Sequence, residues 1–492
     1  MDFAALLEGL YYILTPTAMF YLFVGVLISS TVVALPGIDT KTALALSIPV
    51  VFTLDTYEAV ALIIGIWGVS NTANSITSIL FAIPGGVGSQ ATILDGYPMS
   101  QQGQSGRALA ASFTSSALGG IFGVGVLFLS IPIMQTMILL LGSAEMFLII
   151  MLGIGIVGYL SGKNNRLEGI IVGTIGLLVG TVGIHVTTGS YRFTFDIAYM
   201  MDGFSLIPVT IGLFAIPELI TLVATNSSID RTNSVSNTTD RFQGVKDTFT
   251  EWKLVIKSSI IGTWIGIIPG LGGAVADWIA YGFAKKTEPG ADKTFGKGDV
   301  RGVIAIDAAT NAKEGGSLIP TLAFGIPGSP TTALVLTAFT VVGIVPGKDV
   351  LDDRLYLLYS MIWLLLIATV FTSVLLYFLI QPMSKLTKLN PEILVPFLCI
   401  FCVLGTFSIN NSFWDCLVML GFTGLGYWFK LHAWPRSPLL IGMLLGPDAE
   451  RYLSTSVQLH GWDFFITPSY LVIIAFVICM IWISKVFTKR SV

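Results

Sequence analysis

Apolar residues run in long blocks along almost the whole chain, and polar residues gather in short stretches between them. Blocks of about 17 to 25 residues recur, each long enough to cross roughly 30 Å of hydrocarbon. Uninterrupted runs lie near residues 108–130, 144–160, 167–186, 204–225, 356–380, 392–407, 412–429, 438–447 and 465–484. The 438–447 run is short and ends at Pro447. Four further blocks are broken by Pro-Gly: VVALPGIDTKTALAL (32–46), SNTANSITSILFAIPGGVGSQATIL (70–94), IGIIPGLGGAVADWI (265–279) and TNAKEGGSLIPTLAFGIPGSPTTALVL (310–336). Proline removes an N–H donor and obstructs the preceding turn, and glycine opens conformations that other residues avoid. Non-helical backbone survives at membrane depth only where protein or a water-filled cavity surrounds it. Each interruption therefore predicts a re-entrant tip or a broken helix.

The breaks fall into two pairs. Pro36 maps to Pro269 at an offset of 233 and Pro84 to Pro327 at 243, and the ten extra residues match the charged loop KKTEPGADKTFGKGDVR (285–301). This pattern predicts an internal duplication. Residues 1–225 form the first membrane repeat, 226–253 a polar cytoplasmic linker, and 254–492 the second repeat with the C-terminal helices. The expected fold is an all-α polytopic membrane protein of about ten to twelve membrane segments, including re-entrant or broken helices, in two inverted-topology repeats.

Composition sharpens this picture. Of 492 residues, 54% are hydrophobic and 11% charged, against about 25% charged in soluble domains. No basic stripe suggests nucleic acid. The amino terminus, MDFAALLEGLYYILTPT, lacks the positive region of a cleaved signal peptide. Cys399, Cys402, Cys416 and Cys479 lie in or beside apolar runs and read as apolar thiols, so no structural metal site is expected.

Charge placement gives orientation, because Lys and Arg favour the cytoplasmic side. The first break is flanked by acidic segments, MDFAALLE and LDTYE (54–58). Its counterpart is flanked by Arg231, Arg241, Lys246, Lys253, Lys285, Lys286, Lys293, Lys297 and Arg301. After the second breaks, SQQGQSGR (100–107) is net positive and KDVLDDR (348–354) net negative. Equivalent hairpins should thus open to opposite faces, with the N-terminus outside and the C-terminus on the cytoplasmic side.

The breaks carry the candidate chemistry. A half-helix that starts after a break presents free N–H groups, which suit an anion, and one that ends before it presents carbonyls, which suit Na⁺. The candidate substrate-binding residues are Asn74, Ser75, Thr77, Gly85, Gly86 and Ser89 in the first half. Those in the second are Lys313, Gly316, Ser317, Gly328, Ser329, Thr331 and Thr332. Pro36, Gly37, Asn71, Gly270, Gly272 and Asn311 are the candidate Na⁺ positions. Small residues also serve close helix packing; their clustering at paired breaks favours a transport site. Asp277, Asp307, Lys313 and Glu314 are ionisable residues in or near apolar runs. Adjacent Lys313 and Glu314 should point to different faces of a helix. Lys313 then either attracts a carboxylate or pairs with Asp277 or Asp307. The 243 offset places Ser70 and Asn71 opposite Lys313 and Glu314.

These motifs resemble the large membrane subunit of the tripartite tricarboxylate transporter family, the TctA-type permeases. The likeness is carried by LPG and its hairpin (35–43), SNTANSITSILFAIPG (70–85) with ATILDGYPMSQQGQSGRAL (91–109), IPGLGG (268–273) and EGGSLIPTLAFGIPGSPTTALVL (314–336). The chain departs from the family pattern at Lys313-Glu314 and Gly86-Val87-Gly88, positions that bear on the substrate. The resemblance implies a permease of a bacterial inner membrane that takes up citrate or related carboxylates, driven by Na⁺ or H⁺ and without another cofactor. It also implies two partners, a small four-helix TctB-type membrane subunit and a periplasmic TctC-type binding protein.

Two other classes compete. A passive anion channel could use the same half-helix ends. An intramembrane protease is suggested only by GKGD (296–299), where Asp299 has no carboxylate partner on a neighbouring apolar run. No nucleotide-binding motif or hydrolase constellation is present, and the reading is of a non-enzymatic transporter.

Overall fold

The computed structural model describes residues 3–32, 40–82, 86–161, 166–185, 188–225, 240–269, 272–386 and 391–466. Among the described residues, three helices are long and apolar enough to cross a membrane: Thr56–Phe81, Ser105–Ile138 and Leu355–Ile380. The first is enclosed by protein throughout its apolar window, whereas more than half of the window in each of the other two faces outward. Phe3–Ile13 and Pro16–Val32 form a further apolar pair bent by 73°, with Pro16 opening the second helix, where its missing N–H costs nothing. Six shorter apolar helices are found among the described residues: Thr40–Val51, Ser143–Gly155, Leu167–Gly180, Leu206–Thr221, Pro330–Val341 and Leu398–Ser408. The exterior carries Phe20, Leu129, Ile133, Leu178, Phe378 and Leu417, each more than half exposed. So much exposed apolar surface suits hydrocarbon rather than water. The chain is an all-α, multi-pass membrane protein.

The centre of the molecule is the 25-residue helix Val300–Phe324. Asp299 caps its start by accepting the Arg301 N–H at 3.0 Å, and Gly325 ends it in the left-handed region at φ 68°. Nearly every residue of this helix is buried, although it carries Asp307, Lys313 and Glu314. It packs along Ser105–Leu140 and Trp252–Ile267. Gly119 and Gly123 lie against the Ala308 and Ala312 carbonyls, while Gly262 and Gly266 lie against those of Ala309 and Lys313. A Cβ at any of the four would collide with that backbone. Two small-xxx-small stripes therefore bring three helices into backbone contact.

Several segments differ from the simple pattern. The helix Ser437–His460 runs straight through Pro447 rather than stopping there. The 204–225 run contains a π-helical turn at Ile211–Ala215. Gly183 and Ile184 pair with Arg192 and Tyr191 in a two-residue ladder. Within the polar 226–253 segment, the Arg241–Thr250 helix docks on Ser105–Leu140, with Arg107 Nε 2.6 Å from Asp247 Oδ2. Most of the 465–484 run lies outside the described residues.

Candidate functional site

The helix Ser70–Phe81 ends at Ala82, which adopts φ 56° although it has a Cβ, a strained choice of the kind that functional breaks retain. Beyond the tip, Gly86 is extended and Val87–Ser89 forms one 3₁₀ turn. The Gly86 N–H donates to Ser89 Oγ at 3.2 Å. Ser78 Oγ lies 2.9 Å from the Ser89 carbonyl and 3.0 Å from its hydroxyl, tying the downstream turn to the upstream helix. Asn74 packs against Gly86 so closely that a Cβ there would strike its amide. Thr77 Oγ1 donates to the Asn74 carbonyl at 3.0 Å.

The second break repeats this geometry. Gly325 is left-handed, Ser329 is extended, and the helix Pro330–Val341 begins at once. The Ser329 N–H donates to Thr332 Oγ1 at 2.7 Å, and the Thr332 N–H returns to Ser329 Oγ at 3.2 Å, a reciprocal capping box. Thr321 Oγ1 accepts the Gly328 N–H at 3.3 Å. Ala82 and Gly325, Gly86 and Ser329, Ser89 and Thr332, and Ser78 and Thr321 are each 243 positions apart, the separation that also relates Asn71 to Glu314. Proline has no N–H, and Thr332 and Ala333 are satisfied by Ser329. Among the described residues, the Thr331 amide is thus the free donor of that first turn.

The two broken segments meet directly. Asn71 Nδ2 donates to Glu314 Oε1 at 2.6 Å, Thr72 Oγ1 to Asn311 Oδ1 at 3.3 Å and Ser75 Oγ to Asp307 Oδ1 at 2.8 Å. Rising numbers on one helix meet falling numbers on the other, so they run antiparallel. Thr310 Oγ1 reaches the Gly88 carbonyl at 3.3 Å, joining the central helix to the first tip. Gly328 abuts Ser317 and the Gly266 carbonyl, and Gly316 abuts Thr263. Ser317 Oγ donates to the Glu314 carbonyl at 2.9 Å, and Asn311 Nδ2 donates to Ser116 Oγ at 2.9 Å.

The ionisable residues are arranged differently from expectation. Lys313 Nζ lies 2.6 Å from Glu314 Oε1, both side chains 4% exposed, so neighbouring residues do pair. The four-carbon stem of lysine swings its ammonium across the roughly 100° between successive helical positions, and low dielectric rewards the contact. Lys313 pairs with neither Asp277 nor Asp307 among the described residues. Asp277 instead accepts the Trp278 N–H at 2.7 Å and the Ala91 N–H at 3.3 Å.

Gly85, Pro36, Gly37 and Gly270 lie outside the described residues. Gly272 opens the helix Gly272–Thr287, and Thr331 is half-buried in the first turn after the second break. Asn74, Ser75, Thr77, Gly86 and Ser89 gather around the first tip, and Gly316, Ser317, Gly328, Ser329 and Thr332 around the second. Thr72, Thr92 and Thr310, which the sequence reading passed over, supply hydroxyls between the segments.

The family model of the tripartite tricarboxylate transporter TctA family matches residues 19–441. The chain belongs to the TctA family. It is also 30% identical over 461 residues to a 52.8 kDa protein of Agrobacterium vitis from the TAR-I ttuC′ 3′ region, covering 92% of this chain and 89% of that one. A second A. vitis protein, from the TAR-II ttuC′ 3′ region, is 33% identical over 202 residues, covering 41% of this chain and 83% of that one. No solved structure matches the chain.

Two motifs of this TctA-family chain have structural work. In DGYP, Asp95 is fully buried, and its Oδ1 accepts the N–H groups of Gly296, Gly298 and Asp299 at 2.8, 2.9 and 2.9 Å. Its Oδ2 accepts the Tyr281 hydroxyl at 3.0 Å. GKGD is therefore the loop that Asp95 holds. Asp299 caps the central helix and pairs with Arg301 at 2.6 Å, the arrangement of a structural carboxylate rather than of a proton-sharing dyad.

Proposed function

We propose that this TctA-family protein is the translocating subunit of a binding-protein-dependent secondary transporter. It takes up tricarboxylates such as citrate, or related dicarboxylates, and is coupled to Na⁺ or H⁺. The observation that carries this reading is the direct contact, through Asn71–Glu314 and Ser75–Asp307, of two helices that each end at a similarly built break at matching sequence positions. Broken helices at mid-depth give a carboxylate partial positive charge and hydroxyl donors without the cost of a bare buried cation. The matching local geometry and the antiparallel contact support two inverted repeats. A TctB-type subunit and a TctC-type receptor complete the machine, in a bacterial inner membrane with the N-terminus outside.

Reconstitution tests the reading. The protein is placed in vesicles with its two partner subunits, and labelled citrate is offered with and without an imposed Na⁺ or H⁺ gradient. Accumulation above equilibrium that collapses with the gradient is expected. Simple equilibration would make the protein a passive anion channel.

A further inference from the structure

Asp307 sits in the middle of the central helix and is 1% exposed. Its Oδ1 receives Ser75 Oγ at 2.8 Å and Thr92 Oγ1 at 3.5 Å, from the two sides of the first break. Its Oδ2 is buried and has no hydrogen-bond partner among the described residues. Ser112 Oγ faces the same carboxylate, is also fully buried, and likewise completes no hydrogen bond of proper geometry. Two enclosed oxygens on neighbouring groups are therefore left without a partner among the described residues, which native interiors avoid unless something fills the gap.

The charge is equally unbalanced. A buried carboxylate without a counter-charge costs several kcal/mol. The basic residues of the same helix, Arg301 and Lys313, are bound to Asp299 and Glu314, and no ion pair among the described residues involves Asp307. The other ionisable group facing it, Asp277, is a second acid whose oxygens are held by backbone N–H groups. A proton on Oδ2, donated to Ser112 Oγ, would relieve this by neutralising the acid. A hard cation relieves it while keeping the carboxylate, and the side chains of Asp307, Ser75, Thr92 and Ser112 present oxygen to it. No group of three acidic, His or Cys side chains suited to a multivalent metal is found among the described residues. One available carboxylate matches one positive charge.

We infer that Asp307, with the hydroxyls of Ser75, Thr92 and Ser112, forms a binding site for a monovalent cation of the size of Na⁺. The site differs from the ion positions read from the breaks in sequence. It deepens the transport reading by giving the coupling ion a seat. A cation there would tie the segments before and after the first break to the central helix, so ion occupancy and tip position become linked.

The test is binding, not uptake. The purified full-length protein is melted in detergent with NaCl titrated against choline chloride at constant ionic strength, and again with KCl, at several pH values. The wild type is expected to gain a saturable, Na⁺-specific stabilisation, and Asp307→Asn to lose it. Ser75→Ala keeps the charge and is expected to raise the Na⁺ midpoint about tenfold. It decides the matter if Asp307→Asn does not fold, since an unchanged midpoint then overturns the site. Absence of Na⁺ stabilisation in the wild type, or its survival in Asp307→Asn, also overturns it. So does stabilisation that follows acidity instead of Na⁺ and vanishes in Asp307→Asn, which would assign the carboxylate to a proton. Because the readout needs no substrate, loss of this site leaves the transport reading standing, and failed uptake beside intact Na⁺ binding would sink that reading alone.

Discussion

The amide of Asn71 donates to Glu314 Oε1 at 2.6 Å, and the same oxygen lies 2.6 Å from Lys313 Nζ. One carboxylate oxygen thus joins the first broken segment to a buried charge in the second. Removing Glu314 strands the ammonium of Lys313 in an interior where its side chain is 4% exposed. Glu314→Gln should therefore destabilise the protein by about 3–5 kcal/mol. The double variant Lys313→Met/Glu314→Gln should recover most of that loss. Thermal unfolding in detergent compares the three. If the single and double variants melt alike, the pair does not set the electrostatics of the site.

Asp95 makes a different kind of prediction, because its partners are mostly backbone. Three N–H groups of the 296–299 loop and the Tyr281 hydroxyl converge on one fully buried carboxylate. Tyr281→Phe removes one hydrogen bond and should cost about 1 kcal/mol. Asp95→Ala leaves several buried donors unmet and should cost at least about 3 kcal/mol. Limited proteolysis should find the loop cut much faster in Asp95→Ala than in Tyr281→Phe.

Much of this arrangement was legible in the chain. The Pro-Gly interruptions mark where Ala82 and Gly325 turn left-handed, and the polar residues beside them gather around the tips. What spacing could not give was the reach of side chains and the identity of distant partners. Helical periodicity separates Lys313 from Glu314 by direction, but it does not say how far a flexible stem swings back. Asp307 stood out as an acid in an apolar run, yet its partner Ser75 is 232 residues away. Asp95 was visible only as part of a motif, since the N–H groups it gathers belong to a loop about 200 residues downstream. The run ending at Pro447 misled for a local reason: the helix around that proline continues regardless.

Away from the breaks, Glu450 is gripped by Arg192, whose Nη2 lies 2.7 Å from Glu450 Oε2, and His185 Nε2 lies 3.0 Å from Oε1. The Arg192 hydrogen bond holds the Glu450 carboxyl below its usual 4.5. A lowered folded-state value means that the contact stabilises the protein above the unfolded value and is lost as the pH falls through the folded one. Stability should therefore drop on acidification below 4.5, more steeply in the wild type than in Arg192→Ala. Melting curves between about pH 7 and about pH 3 measure the difference.

Inverted threading is tested by labelling. Glu58 lies in the first turn of the membrane-length helix Thr56–Phe81, and Lys286 in the last turn of Gly272–Thr287. Single cysteines at these positions, in a background without native cysteine, should react with impermeant maleimide from opposite faces of the membrane. Labelling from one face would remove the inverted relation between the halves, and with it the paired-tip geometry of the proposed site.

The second tip can be probed at its cap. Ser329 and Thr332 satisfy each other's N–H groups, and this exchange sets where the helix Pro330–Val341 begins. Losing an N-cap costs about 1 kcal/mol, too little to unfold the protein but enough to fray the first turn. Ser329→Ala and Thr332→Val should thus insert and purify normally while citrate uptake falls about tenfold or more. Ser329→Pro deletes the N–H that bonds Thr332 Oγ1 and should abolish uptake. The matching change in the first tip, Ser89→Ala, breaks the bond from the Gly86 N–H and the contact with Ser78, and should act in the same direction. If both tips tolerate these changes with uptake intact, the capped half-helix does not hold the carboxylate, and the substrate path must run elsewhere in the bundle.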